Sequence, residues 1–209
     1  MPAGSHDSTD SASDECIRIY ESSGIAEYVD YAVFEHAWEG YRLIKGRSKN
    51  ILTLVDFTKP STVERLYVID MEHACVVHKS HVAHGKNSGD KYATSFSNRN
   101  GSHKSSLGFY LTGQTYDGDN GYSLRLQGLE KGINDCAMER SIVVHAADYA
   151  NPSTISSSGR LGRSFGCPAL PESLNDEIIN TIKDGTVFYI YADYPEYVQK
   201  STFLASNGV

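Results

Sequence analysis

Two side chains in this sequence could together perform nucleophilic chemistry: Cys167 and His145. His145 lies near the end of the apolar run Ser141–Ala146 (SIVVHA), which predicts a strand end facing a loop. Cys167 follows 22 positions later, in Ser164-Phe165-Gly166-Cys167-Pro168, between glycine-rich sequence and a proline. A cysteine nucleophile needs a base, an exposed turn and donors for the oxyanion. The segment 141–171 can supply all three. The His145 imidazole can take the thiol proton or stabilise the thiolate. Gly166 permits a tight turn, and the N–H groups of Gly166 and Cys167 are the candidate oxyanion donors. Pro168 has no N–H to offer. Residue types alone leave a second reading open, in which Cys167 is a small buried residue or half of a disulfide.

The elements that must position this pair are short. Leu66–Asp70, Cys75–Val82, Leu107–Thr112, Tyr122–Leu126 and Ser141–Ala146 are runs rich in Val, Ile, Leu and Tyr, separated by polar or glycine-rich stretches. Residues 51–57 (ILTLVDF) form a further apolar burst, and Thr186–Ala192 reads as a last strand. The stretch 84–106 is loop-like, with Gly85, Gly89 and Gly101 among asparagines and serines. Residues 22–45 read as one amphipathic helix, with Ile25, Tyr28, Val29, Ala32, Val33, Ala37, Tyr41 and Ile44 at three- and four-residue steps. Residues 173–184 read as another, with Ser173 and Asp176 as a capping box. The sum is a mainly β, α+β domain: a β-sandwich with a few helices, preceded by an N-terminal helix. The expected divisions are a disordered or tag-derived start (1–15), a helical segment (16–50), a catalytic domain (51–195) and a tail (196–209).

The formal net charge of −7 and the scattered Lys and Arg residues argue against nucleic-acid binding. No apolar run approaches the roughly 18 residues of a membrane span. No signal peptide is visible. Gly4-Ser5-His6 resembles a cloning scar, so the missing signal carries no weight. The four cysteines, Cys16, Cys75, Cys136 and Cys167, are widely spaced without a C-x-x-C pair, against a structural zinc site. Two disulfides are allowed, with Cys136 in a polar loop as one candidate and Cys75 expected to be buried. His73, His78, His81 and His84 invite a metal reading, but strand alternation puts His78 and His81 on opposite faces. No metal is expected, and His84 is read as a loop anchor.

His145, a spacer, and Ser164-Phe165-Gly166-Cys167 resemble the active-site motif of the L,D-transpeptidase (YkuD-type) family: a histidine after a strand, a spacer, then Ser/Thr-x-Gly-Cys. The chain departs from the common form. Phe165 stands where the family has His, and Pro168-Ala169 follow the cysteine where an apolar residue and Asn or Arg are usual. It is more similar to the divergent murein L,D-transpeptidase catalytic domain branch. That branch carries sequences like Val82–Gly89 (VAHGKNSG), Ser105–Tyr110 (SSLGFY), Gly121–Leu126 (GYSLRL) and Gly159–Ser164 (GRLGRS). The resemblance covers roughly residues 60–193.

That resemblance implies a peptidoglycan enzyme. Cys167 attacks a stem-peptide carbonyl, at a diamino acid followed by D-Ala, to form a thioester. His145 protonates the leaving amine. An amine acceptor then gives a crosslink, whereas water makes the same site an L,D-carboxypeptidase. Gly166 and Ser164 join the catalytic set, with Ser164 either hydrogen-bonding His145 or substrate, or simply holding the turn. Arg163, Tyr149 and Phe165 are the substrate-binding candidates: Arg163 through its forked donors to a stem carboxylate, or else as a loop anchor, and Tyr149 as cleft wall or packing residue. Ser106 and Tyr110 face either the cleft or the core. No cofactor is implied. The implied partners are peptidoglycan stem peptides, and the implied location is periplasmic or extracytoplasmic. The alternative from another class is a non-catalytic peptidoglycan-binding module on the same fold.

Overall fold

The computed structural model describes the backbone of residues 7–204 and side chains from residue 12 onward. Helix α1 (Asp7–Ser22) and helix α2 (Tyr31–Leu43) lead into strand β1 (Ile51–Asp56), β2 (Leu66–Asp70) and β3 (Cys75–Ser80). A long loop then reaches β4 (Gly108–Gly118), β5 (Gly121–Gly128) and β6 (Val143–Ala146). Helix α3 (Ser153–Ser158), β7 (Ala169–Leu170), α4 (Glu172–Ile182), β8 (Val187–Tyr191) and α5 (Pro195–Lys200) complete the chain. The α+β class expected from the sequence is the class found.

Hydrogen bonds link all eight strands into one mixed sheet, in the order β3-β2-β1-β8-β4-β5-β6-β7. The β1–β8 and β6–β7 pairs are parallel and the others antiparallel. The central strands β1 and β8 are apolar almost throughout because both their faces are covered, which removes the alternation a half-exposed strand would show. Helix α2 lies over this centre. Its buried Val33, Ala37 and Tyr41 recur every four residues, with Phe34 and Trp38 beside them. Gly40 is where the helix touches the sheet: a Cβ there would stand 2.0 Å from the Phe109 ring.

The single helix expected over 22–45 is two. Gly24 takes a left-handed conformation (φ 79°) and a 3-10 turn, Ile25–Glu27, follows before Asp30 precedes α2. The apolar spacing continues across this break because Ile25 and Val29 are buried in the turn as they would be in a helix. Within the polar start, residues 1–6 lie outside the described part and residues 7–15 lie in α1. Cys16 and Ile19 of α1 are buried in the same core as α2 and the sheet, which is what holds a helix of weak intrinsic pattern. In the tail, α5 buries Tyr197, and Leu204 is also buried; residues 205–209 lie outside the described part. Helix α4 starts at Glu172, one residue before the expected cap Ser173, and the Glu172 N–H is met by Asn151 Oδ1.

Candidate active site

The edge of the sheet formed by β5, β6 and β7 builds the site. The parallel register pairs His145 with Ala169, so the turn that ends in Cys167 arrives beside Val143, two positions before His145 on β6. The Val143 N–H donates to Cys167 Sγ at 3.5 Å, and the thiol lies 3.6 Å from the Ser141 carbonyl. Cys167 is half-buried and unbridged, as are Cys75 and Cys136, while Cys16 is buried. The Cys75 expected in the interior is thus partly exposed at the start of β3, and no disulfide joins described residues.

His145 is only 4% exposed. Its Nδ1 lies 2.8 Å from the Ala146 carbonyl oxygen. A carbonyl can only accept, so Nδ1 carries the proton and, in the neutral ring, Nε2 holds the free lone pair. Burial lowers the His145 pKa, opposed by that carbonyl, and keeps the ring neutral. Burial likewise raises the Cys167 pKa, opposed by the Val143 N–H and by Arg140. Burial thus favours the neutral form of each group, a thiol at Cys167 and an imidazole at His145. No hydrogen bond joins the two side chains among the described residues.

The turn carrying the cysteine is held from three sides. The Ser164 hydroxyl donates to the Cys167 carbonyl at 2.6 Å and accepts from the Gly166 N–H at 3.0 Å. Ser164 therefore serves the turn, and its short side chain does not reach His145. The Ser164 N–H donates to the His84 carbonyl, and the Lys86 N–H donates to the Ser164 carbonyl. The Ser105 hydroxyl donates to the Gly166 carbonyl. Gly166 has φ 130°, and a Cβ there would lie 2.8 Å from the Lys104 carbonyl oxygen. Its N–H is committed to Ser164. Of the two donors expected for an oxyanion, only the Cys167 N–H is without an acceptor among the described residues.

Beneath the turn lies a residue that the sequence reading missed. Arg140 donates from Nη1 to the Ser97 carbonyl and the Ser106 hydroxyl, and from Nη2 to the Lys104 carbonyl and the Ser102 hydroxyl. It clasps the 97–106 loop against the turn. Nothing local marks Arg140, because its partners lie 34 to 43 positions away. Ser106 and Tyr110, the latter donating to the Ser106 carbonyl, take the core alternative. On the other side, Arg65 is fully buried and donates to the Val82 and Lys59 carbonyls and to His84 Nδ1. Burial and Arg65 push His84 down to about 3, so it stays neutral and pins the loop segment that pairs with Ser164. The other histidines of the cluster disperse: His73 to Asp70, His78 to Thr181 and His81 to the Thr62 carbonyl.

Of the substrate-binding candidates, Arg163 donates from Nη1 to the Lys86 and Gly89 carbonyls and faces Asp90 at 3.5 Å. It anchors the 86–90 loop. Phe165 is 65% exposed, with the His103 ring 4.6 Å away and Lys86 Nζ 4.5 Å over its face. Tyr149 is half-buried against Gly162, and its phenol is pushed up to about 12, by burial first and then by Cys167.

No helix among the described residues is long and apolar enough to cross a membrane. No curated protein sequence matches the chain. Among solved structures, it is similar to an L,D-transpeptidase from Mycobacterium smegmatis (15% identity, 69% of this chain and 59% of that one, TM-score 0.42). It is also similar to L,D-transpeptidase 3 from Mycobacterium tuberculosis (13% identity, 69% and 62%, TM-score 0.43). A third is a helical cell shape determining protein from Campylobacter jejuni (12% identity, 76% and 55%, TM-score 0.45). The chain thus spans about three fifths of the length of the L,D-transpeptidases it matches. The family model described as the L,D-transpeptidase catalytic domain (YkuD_2) matches residues 25–191, four fifths of the sequence, and the chain belongs to that family.

Proposed function

We propose that the protein is a cysteine acyltransferase acting on peptidoglycan stem peptides, with Cys167 as nucleophile and His145 as its base. The observation that supports this reading is the hydrogen bond of His145: Nδ1–H is tied to the Ala146 carbonyl, leaving Nε2 as the basic nitrogen. A neutral imidazole with a free Nε2 lone pair is a competent general base toward a thiol.

Sγ attacks the amide carbonyl carbon as the thiol proton passes to His145 Nε2. The Cys167 N–H donates to the developing oxyanion. The imidazolium returns its proton to the leaving amine of D-Ala, the C–N bond breaks, and a thioester to Cys167 remains. An amine of a second stem, deprotonated by Nε2, displaces the thiolate and gives a crosslink. Water in place of that amine gives the shortened stem and makes the reaction a carboxypeptidase. Phe165, Tyr149 and the Lys86–His103 edge around Phe165 are the surfaces against which a stem would lie. The domain responsible spans 51–195 in this reading, with the helical segment 16–50 buttressing it, and it works outside the cytoplasm, where its substrate is.

The test is incubation with tetrapeptide muropeptides, followed by mass spectrometry, with Cys167→Ala alongside. Crosslinked dimers made by the parent alone are the expected result. Tripeptides with free D-Ala, again from the parent alone, would assign hydrolysis. Identical products, or none, from both proteins would overturn the catalytic reading in favour of a peptidoglycan-binding module.

A further inference from the structure

We propose that Arg125, stacked on Tyr116, binds a carboxylate of the acyl-donor peptide and so sets substrate choice. The inference rests on the Cys167 reading above and deepens it.

Its basis is the register of the site's sheet edge. Ser123 pairs with His145 and Arg125 with Val143, while the intervening Leu124–Val144 pair faces the core. Arg125 therefore shares the face of the sheet that carries His145. Tyr116 of β4 pairs with Ser123 and lies on that face too. A cavity of about 230 Å³ runs from Tyr116 across Arg125 to Ser141 and Val143, with Met138 on its rim. Two of its lining residues, Ser141 and Val143, are those whose backbone groups contact Cys167 Sγ.

Arg125 differs from the other two guanidinium groups of this region. Arg140 and Arg163 donate to protein carbonyls and hydroxyls. Arg125 is exposed and makes no hydrogen bond or ion pair with a described residue. Its guanidinium lies over the Tyr116 ring, with the ring centroid 4.4 Å from its central carbon. Stacking on a ring fixes the guanidinium plane while leaving its N–H edge open, which suits a planar carboxylate. The distances fit. Cys167 lies two strand spacings from β5, roughly 10 Å, and an extended peptide advances about 3.5 Å per residue. The carboxylate bound would therefore sit about one to three residues from the scissile carbonyl. Met138, 60% exposed, offers an adaptable apolar rim for the intervening side chain.

The experiment uses a stem tetrapeptide ending in a diamino acid and D-Ala, and forms of it with one carboxylate amidated at a time. Calorimetric titration is done on Cys167→Ala, which binds without turnover, with and without Arg125→Gln. Amidation of one particular carboxylate is expected to weaken binding on the order of 10-fold or more in the Arg125 protein, and to make no difference once Arg125 is Gln. Arg125→Lys, which keeps the charge but loses the fork, should fall between. An acid-to-amide ratio that is the same with and without Arg125, or binding that is absent or ignores every carboxylate, overturns the proposal. Turnover by the parent separates the two claims. Turnover without Arg125 dependence removes the carboxylate site and keeps the Cys167 chemistry, whereas Arg125-dependent binding without turnover does the reverse.

Discussion

At the scale of single residues, the site depends on where one proton sits. His145 and Cys167 are both pushed by burial toward their neutral forms, so the pair rests as imidazole and thiol instead of as an ion pair. This predicts a broad pH profile for acylation. The acid limb should lie below the ordinary histidine value of 6.5, since His145 must be neutral to act as base. The alkaline limb should lie above the ordinary thiol value of 9.0, since loss of both protons leaves none for the departing amine. His145→Ala should slow acylation by about 10²–10⁴-fold and abolish the acid limb. The kinetics of adduct formation with a carbapenem, followed by mass, check both. An acid limb that survives in His145→Ala would assign it to another group.

Among the elements, the close approach of α2 to β4 is where propensity and packing oppose each other. Replacing Gly40 by Ala should favour the helix by about 1 kcal/mol. The added methyl would, however, enter the Phe109 ring, whose nearest atoms stand 2.0, 2.2 and 2.5 Å from the Cβ position. Phe109 is itself fully buried and stacked on Tyr189, with ring centroids 4.0 Å apart, so it has little room to yield. Overpacking of about 1–3 kcal/mol beyond the propensity gain should win, lowering the melting temperature by several degrees. Thermal unfolding by circular dichroism decides it, and a rise in melting temperature would mean that the helix shifts freely on the sheet. Short strands from 51 to 191 were legible because β-branched and aromatic runs alternate with turn residues. The β7 strand, only two residues long, was not, because it is defined by its pairing with His145 and not by its own pattern.

For the molecule as a whole, Glu130 joins parts distant in sequence. Its carboxylate accepts from the Phe109 N–H of β4, from the Tyr197 hydroxyl of α5 and from Ser201 beyond α5. Burial raises its pKa above the ordinary 4.5, opposed by those donors. In the window from 4.5 up to its raised value, the folded state holds a proton that the unfolded state has released. Stability from this group is therefore greatest at low pH and declines as pH rises through that window. Glu130→Gln, which stays neutral and keeps an acceptor, should flatten this decline. Urea denaturation midpoints across pH 4 to 8 would show it, and an unchanged slope would assign the pH dependence elsewhere.

The sequence by itself determined the class of fold, the order of most strands and the candidate nucleophile and base, because each is written in contiguous residues: apolar runs, turn glycines and the Ser164–Cys167 motif. It also supplied the resemblance that the family match bears out. Only the tertiary structure decided which alternative each polar side chain takes. Arg163 holds a loop, Ser164 holds its own turn, Arg140 clasps a loop 34 to 43 positions away, and Arg125 lies over Tyr116 with no hydrogen-bond partner among the described residues. The reason is physical: a guanidinium or hydroxyl is satisfied by whichever carbonyls the fold brings within about 3 Å, and those carbonyls come from distant segments whose meeting no local pattern encodes.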